Sequence, residues 1–211
     1  MTVSRVPELH IYANGQELKQ VDQFKYIRVT YDSSATKETA VYERINQYNK
    51  NFDLLYPLLK DRYVPTAVKV TIYKTILRPI VTYGSESWTL TTATKSKIQA
   101  AETRVLRLIK GVTRRDRLRN EDIRKELDVK SILQHVEETQ LRWFGHVKRI
   151  SDDRTAHQWL EWKPSTTRPP GRPRKRWMDN IKAAMETRND VAGGGEFRDV
   201  SGQEELERLL R

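Results

Sequence analysis

The sequence predicts a mainly α-helical protein with a small β hairpin at its N-terminal end. An Asn14-Gly15 pair between alternating apolar and polar residues is typical of a two-residue hairpin turn. Apolar residues then recur every three or four positions from Val41 to Leu59, which is the period of one face of a long helix. Residues 163–176 contain four prolines and a glycine, and this composition predicts a basic extended tether rather than a helix.

The N-terminal elements are short and change period early. Residues 8–13 alternate, a second short strand follows the Asn-Gly turn, and Phe24 to Tyr31 alternate again. Thr36 is a suitable cap for the long helix that follows.

Two further helices are predicted in the middle of the chain. Pro65 is favoured at the first helical position and opens the second helix. The inner side of that helix is predicted to carry Val68, Ile72 and Ile76. A third helix starts near Thr94, and Gly111 is well placed to end it.

Helices also dominate the C-terminal half. Asn120 is predicted to cap a short helix, and Ser131 begins a longer one. The inner stripe of the longer helix is predicted to contain Ile132, Val136, Thr139, Trp143, Val147 and Ile150. A brief helix is expected at residues 153–162, another at 177–187, and a final acidic helix at 201–211. The chain thus divides into four predicted segments, namely a β hairpin (1–33), a helical bundle (34–162), a basic Pro-rich linker (163–176) and C-terminal helices (177–211).

The charge of the chain is strongly positive and unevenly distributed. The 211 residues carry a formal charge of +11 with a pI near 9.8. Residues 104–176 hold 20 basic and 10 acidic groups, a net charge of +10, whereas residues 1–103 hold 14 and 10. A regional excess of this kind favours polyanionic partners.

Composition also limits the compartment and the type of site. The chain has no cysteine, which removes disulfides and thiolate zinc sites. No apolar run approaches the ~20 residues that span a bilayer, and the first thirty residues lack a secretory signal, so we expect an intracellular protein with no membrane partner. The polybasic run loosely resembles a nuclear import signal, which leaves a nuclear location open.

Three groups of basic residues are candidates for binding nucleic acid. The first lies at a helix end and the loop after it, the second flanks the Trp143-Phe144 pair, and the third lies in the tether. Arginine beside aromatic rings can stack on bases and contact phosphates. The alternatives are a solvated basic surface, a linker that touches nothing, and aromatic residues that belong to the core. The candidate residues are Arg107, Lys110, Arg114, Arg115 and Arg117; Arg142, Lys148 and Arg149; and Arg172, Arg174, Lys175 and Arg176.

Candidates for catalysis are few. The sequence lacks a phosphate-cradling glycine loop and a Gly-x-Ser-x-Gly element. Asp128 and Lys130 form an Asp-x-Lys element of the kind found in some magnesium nucleases, but a helix end with Lys130 near its C-terminal dipole is the favoured explanation. We therefore predict no catalytic residue, no metal site and no cofactor. Mg²⁺ enters only under the enzymatic alternative, in which Asp116, Glu126 or Asp128 would hold it.

Several motifs follow one another over roughly residues 15–185 and include a Trp-Phe-Gly-His-Val block and a Gly-Arg-Pro…Arg-Trp block. They are Phe24-Lys25-Tyr26-Ile27, Tyr42-Glu43-Arg44-Ile45, Tyr83-Gly84-Ser85-Glu86-Ser87-Trp88, Leu141-Arg142-Trp143-Phe144-Gly145-His146-Val147-Lys148-Arg149 and Pro170-Gly171-Arg172-Pro173-Arg174-Lys175-Arg176-Trp177-Met178-Asp179. The order of these motifs resembles the region downstream of the catalytic palm in the endonuclease–reverse transcriptases of non-long-terminal-repeat retrotransposons.

The resemblance implies a primer-grip hairpin at Phe24, Lys25, Tyr26 and Ile27, followed by helices similar to a reverse-transcriptase thumb. Ile27-Arg28 stands where the family pattern has Leu-Gly. The Tyr-x-Asp-Asp motif is absent from the chain, and two-metal polymerisation needs those carboxylates. We therefore expect a non-catalytic fragment that binds RNA, DNA or an RNA–DNA hybrid. The alternatives are a retained magnesium-dependent nuclease or polymerase, and a decayed reading frame with a structural or self-association role.

Overall fold

The computed structural model describes residues 10–32, 38–162, 171 and 175–192. Its regular elements are mostly helices that follow short N-terminal hairpins, so the predicted mainly α fold class is confirmed. Most of the predicted basic tether and the predicted helix at residues 201–211 lie outside the described residues. Among the described residues, no helix combines the length and the apolar character that crossing a bilayer requires.

Two antiparallel hairpins form the β part. Strand β1 (Tyr12–Ala13) pairs with β2 (Gln16–Glu17) across the predicted Asn-Gly turn. Strand β3 (Gln23–Tyr26) pairs with β4 (Val29–Asp32), so the alternating run at 24–31 contains a second hairpin turn. At the tip of this turn Ile27 and Arg28 both have positive φ, 46° and 62°.

The helices account for the rest of the described chain. Helix α2 continues into α3 through a π-helical turn, Tyr73–Leu77, and a 3₁₀ turn, Ser85–Ser87, follows. The α-helices are α1 (Thr39–Lys60), α2 (Thr66–Ile72), α3 (Arg78–Thr82), α4 (Thr92–Lys110), α5 (Asn120–Glu126), α6 (Ile132–Arg149), α7 (Thr155–Glu161) and α8 (Trp177–Ala192).

The described residues form two compact units. Unit 1 contains the residues up to Gly84 and Thr92–Val129, and unit 2 contains Ser85–Thr91 and the residues from Lys130 onward. In unit 1, α1 packs against α4 and α3. Because α1 buries Val41, Tyr48, Phe52 and Leu59 at helical spacing, the predicted periodicity of this helix is confirmed. The boundaries of the four predicted segments differ from those of the two compact units, and the four-segment division remains a prediction.

The prediction of which residues the second helix buries is wrong. Val68 and Ile76 are both more than two-fifths exposed. The residues that this helix buries instead are Lys69, Val70, Tyr73, Leu77 and Val81. The physical reason is a buried hydrogen bond of 3.1 Å that the Tyr73 hydroxyl donates to Glu102 in α4, which turns the Tyr73 side inward. The π turn that begins at Tyr73 also shifts the helical register by one residue.

Unit 2 is built around α6. Its Leu141 and Phe144 pack against Ile181, Ala184 and Met185 of α8. Trp143, which was predicted on the inner stripe, is 40% exposed.

The exposure of Trp143 follows from the two partners of α6. The Gln140 side chain donates to the carbonyl oxygens of Ser85 (3.0 Å) and Trp88 (2.8 Å), and Phe144 faces α8. These contacts centre the buried side of α6 between residues 140 and 147 on Phe144 and leave Trp143 at its edge.

Candidate nucleic-acid interface

Helix α4 ends in a glycine C-cap that starts a basic loop. Gly111 has φ +76°, and the Val112 amide donates to the Arg107 carbonyl (3.0 Å) while the Gly111 amide donates to Leu108 (3.1 Å). This pair of bonds is the Schellman arrangement, in which glycine supplies the left-handed residue without a Cβ penalty. The cap confirms the predicted helix end and sends residues 111–119, here named the arginine loop, away from the helix axis.

The Arg107 side chain holds the arginine loop in place. Its guanidinium donates to the carbonyl oxygen of Thr113 (2.7 Å), to that of Leu118 (2.6 Å) and to the Asn120 side chain (3.1 Å). One planar fork thus joins both ends of the loop to α4. Sequence reasoning placed Arg107 on a phosphate, whereas the structure shows that most of its donors contact the loop.

Asp116 orders the middle of the arginine loop. Its carboxylate accepts hydrogen bonds from the Thr113 amide (2.6 Å) and the Thr113 hydroxyl (2.9 Å). These bonds to Thr113, with a smaller contribution from Arg107, hold the pKa of Asp116 below its usual value. The carboxylate therefore stays ionised and keeps the turn closed at neutral pH.

The remaining arginines of the loop point to solvent. Arg114, Arg115, Arg117 and Arg119 are exposed, and none of their guanidinium groups has an ion pair or hydrogen bond with another described residue. Arg117 adopts a left-handed backbone conformation, φ 51°, that a non-glycine residue occupies at some cost. The loop therefore carries four solvated cations on a backbone that Arg107 and Asp116 hold in place.

A buried ion pair anchors the helix that follows the loop. Glu102 is fully buried in α4 and accepts from Arg124 of α5 through Nε (3.0 Å) and Nη2 (2.8 Å). The Tyr73 hydroxyl donates to the same carboxylate, and burial, then the nearby Glu102 charge, raises the pKa of Tyr73 well above its usual value. Both ends of the arginine loop are thus attached to rigid elements. The sequence offered no signal for this pairing, because its members are far apart along the chain.

An open groove of about 910 Å³ lies between α1, α4 and the arginine loop. Its lining combines aromatic rings with cations, and Arg104 lies 4.5 Å from the ring centroid of Phe52. A second, more polar cavity of about 580 Å³ lies at the other side of Arg107 and includes Arg117 and Arg119. The aromatic and basic residues of the groove are Phe52, Tyr56, Lys97, Arg104, Arg107 and Arg114.

Lys110 and Lys148 are engaged with carboxylates. Lys110 pairs with Glu126 of α5, and Lys148 pairs with Glu161 of α7 at 2.5 Å. Arg142 and Arg149 of α6 are exposed and have no ion pair with another described residue. These two arginines, unlike the two lysines, therefore have no carboxylate partner among the described residues.

Little of the third predicted group falls within the described chain. Arg172 and Arg174 lie outside the described residues, whereas Lys175 and Arg176 are exposed just before α8. The Arg176 amide donates to the Asp179 carboxylate (2.7 Å), which caps that helix.

The predicted primer-grip residues form the exposed hairpin of β3 and β4. The rings of Phe24 and Tyr26 stack with centroids 6.3 Å apart, and Lys25 and Ile27 are exposed. All four side chains are thus displayed at the surface of this hairpin.

The tip of that hairpin is held by two residues that sequence reasoning did not single out for this role. Tyr83 donates to the Ile27 carbonyl (3.3 Å), and the buried guanidinium of Arg44 donates to the Arg28 carbonyl. Arg44 also stacks 4.4 Å from the Tyr83 ring centroid, and burial lowers its pKa.

The carboxylates of the enzymatic alternative contact other groups. Asp116 binds Thr113, Glu126 pairs with Lys110, and Asp128 lies 3.7 Å from the Lys74 ammonium group. Among the described residues, no three histidine or acidic side chains come together as metal ligands would.

The chain is 33% identical over 134 residues to an uncharacterized transposon-derived protein of Caenorhabditis elegans, and the match covers 61% of this chain and 48% of that protein. The chain thus spans about half the length of the curated relative that it matches. No family model and no solved structure matches. The similarity relates the chain to a transposable element.

Proposed function

We propose that this chain is a non-catalytic fragment related to the primer grip, thumb and downstream region of a non-long-terminal-repeat reverse transcriptase, and that it binds the nucleic-acid backbone. The arginine loop is the main contact. Its four exposed arginines carry the proposal, because they project from a backbone that Arg107 and Asp116 already order. A preorganised loop loses little conformational entropy on binding, so most of the electrostatic gain is retained.

The chemistry of the loop suits phosphate better than an acidic protein surface. Guanidinium groups bind phosphate oxygens with paired hydrogen bonds, and the adjoining groove offers the exposed ring of Tyr56 beside further cations. The similarity to a transposon-derived protein supports a nucleic-acid partner on independent grounds. Backbone contacts carry little sequence information, so binding is weakly selective and falls steeply with salt.

The test measures binding of the whole chain to a labelled DNA duplex, an RNA duplex and a hybrid by fluorescence anisotropy at several salt concentrations. Each phosphate contact adds about 0.9 to the slope of log K against log salt. The Arg114→Ala/Arg115→Ala/Arg117→Ala variant is expected to lower this slope by about 2.7 and to weaken binding to all three duplexes.

A matched control removes the same charge elsewhere in unit 1. Lys19, Lys50 and Arg62 are exposed and line neither the groove nor the polar cavity, and the Lys19→Ala/Lys50→Ala/Arg62→Ala variant should leave most of the affinity and the slope unchanged. Equal losses in the two variants would show that net charge, rather than the arginine loop, determines binding. A slope near zero for the parent protein would overturn the proposed function.

A further inference from the structure

A second basic and aromatic surface lies on α6, in unit 2. Arg142, His146 and Arg149 are spaced by four and three residues, so they occupy one exposed face of the helix. The indole of Trp143 lies beside this face, tilted 35° to the His146 ring with centroids 5.4 Å apart. Two planar rings are therefore displayed next to two solvated guanidinium groups.

An exposed tryptophan on a helix that already has a core needs an explanation. Phe144, the next residue, fills the contact with α8, so Trp143 adds nothing to that cluster. Tryptophan and arginine are enriched among the residues that contribute most to binding at interfaces. Residues 140–150 contain three basic residues and no acidic one.

We infer that the Trp143–His146 surface stacks unpaired bases, and that unit 2 therefore prefers single-stranded nucleic acid to a duplex. The inference rests on the proposed function and adds the class of nucleic acid. The charge of the surface selects a polyanion, and the open rings select planar groups that a duplex keeps inside its own stack. Arg142 and Arg149 would bind the phosphates on either side of a stacked base.

Another aromatic pair in unit 2 supplies a matched control. The Trp159 and Trp162 rings have centroids 5.5 Å apart and are more exposed than Trp143. Their surroundings differ, because residues 151–162 contain three acidic residues and one basic residue. If stacking requires cationic neighbours, Trp143 contributes to binding and Trp159 does not.

The experiment compares labelled oligothymidylate, oligouridylate and a duplex of equal length on the whole chain by fluorescence anisotropy. Loss of one stacked base corresponds to about 5- to 140-fold in affinity. Trp143→Leu should therefore weaken single-strand binding at least 5-fold, leave duplex binding within about twofold, and be largely rescued in Trp143→Phe. Trp159→Leu should change neither. Single strands should also quench the tryptophan emission of the parent protein.

Several results would overturn the inference. One is an equal loss of affinity for single strand and duplex in Trp143→Leu, and another is a loss in Trp159→Leu as large as that in Trp143→Leu. Tryptophan emission that single strands do not quench would also contradict it. So would light scattering that shows two copies of the chain held together through Trp143. If Trp143→Leu does not fold, Trp143→Phe and the quenching of the parent decide. A failure here with intact binding through the arginine loop would leave the proposed function standing. The converse result, binding through Trp143 without any contribution from the arginine loop, would show that the α6 surface and not the arginine loop contacts the nucleic acid.

Discussion

The turn between β3 and β4 contains a residue that is poorly suited to its backbone. Arg28 has φ 62°, in the left-handed region where a Cβ clashes with the following carbonyl oxygen. Its neighbour Ile27 is β-branched and also left-handed, which makes the strain larger. The turn persists because Tyr83 and Arg44 bind the two carbonyl oxygens of the tip.

Replacing Arg28 by glycine is expected to stabilise the protein. Arg28→Gly removes the Cβ strain, and after the entropy cost of glycine in the unfolded chain we expect a gain of about 0.5–1 kcal/mol in the free energy of unfolding. Urea unfolding followed by far-ultraviolet circular dichroism measures this change. Arg28→Ala removes the same charge but keeps Cβ, and a gain equal to that of glycine would contradict the strain argument.

Some features of individual residues could be predicted from the sequence, and others could not. The Asn14-Gly15 turn and the glycine cap of α4 were predictable, because each depends on a positive φ that glycine or asparagine tolerates. The burial of Arg44 and its stacking on Tyr83 were not predictable, because the two residues lie 39 positions apart and no local pattern joins them. The candidate arginines were identified as a group, but the division between Arg107, which binds the loop, and its exposed neighbours needed the structure.

Among the connections between helices, the arginine loop is an ordered one whose two ends are both fixed by side-chain hydrogen bonds. Its two ends are joined through the Arg107 side chain, and α5 is fixed by the buried pair of Arg124 with Glu102. A charged pair without access to water is costly to break, because the remaining partner is left uncompensated. The loop therefore keeps its conformation in the absence of a ligand.

Arg107 is expected to act as a positioning residue. Arg107→Lys keeps the charge but cannot donate to Thr113, Leu118 and Asn120 together, since an ammonium group lacks the planar fork. We expect faster amide hydrogen exchange in residues 112–119 and a several-fold loss of duplex affinity, with the salt slope reduced by less than about 0.9. Unchanged exchange together with unchanged affinity would show that Arg107 contributes charge alone.

Helix periodicity succeeded for α1 and failed for the helix after it, for a physical reason. In α1 the residues at three- and four-residue spacing form the buried face although Leu54 and Leu58 are exposed, whereas in α2, the π turn and α3 the apolar residues at that spacing offer two alternative faces. The choice between Val68 and Val70 as the buried position depends on the bond from Tyr73 to Glu102, which is a tertiary contact. The same reason explains Trp143, whose neighbours Gln140 and Phe144 took the two buried flanks of α6.

At the scale of the whole molecule, aromatic residues divide between the two compact units. All nine tyrosines precede Gly84 and belong to unit 1, and all five tryptophans follow it and belong to unit 2. Fluorine NMR of incorporated 3-fluorotyrosine therefore reports on the unit that carries the arginine loop, and tryptophan emission reports on the unit that carries Trp143. The two residue types thus give a separate spectroscopic signal for each proposed binding surface.

These two signals test where nucleic acid binds without any substitution. A ligand that binds the folded state at about 100 times its dissociation constant adds about 2.7 kcal/mol of stability by mass action. Duplex DNA at low salt should raise the urea midpoint of the tyrosine signal, because it binds the arginine loop. A single strand should also raise the midpoint of the tryptophan signal, and both shifts should vanish at high salt, where counterion release no longer favours binding. If duplex DNA raised the tryptophan midpoint alone, the backbone contacts would have to be reassigned from the arginine loop to unit 2.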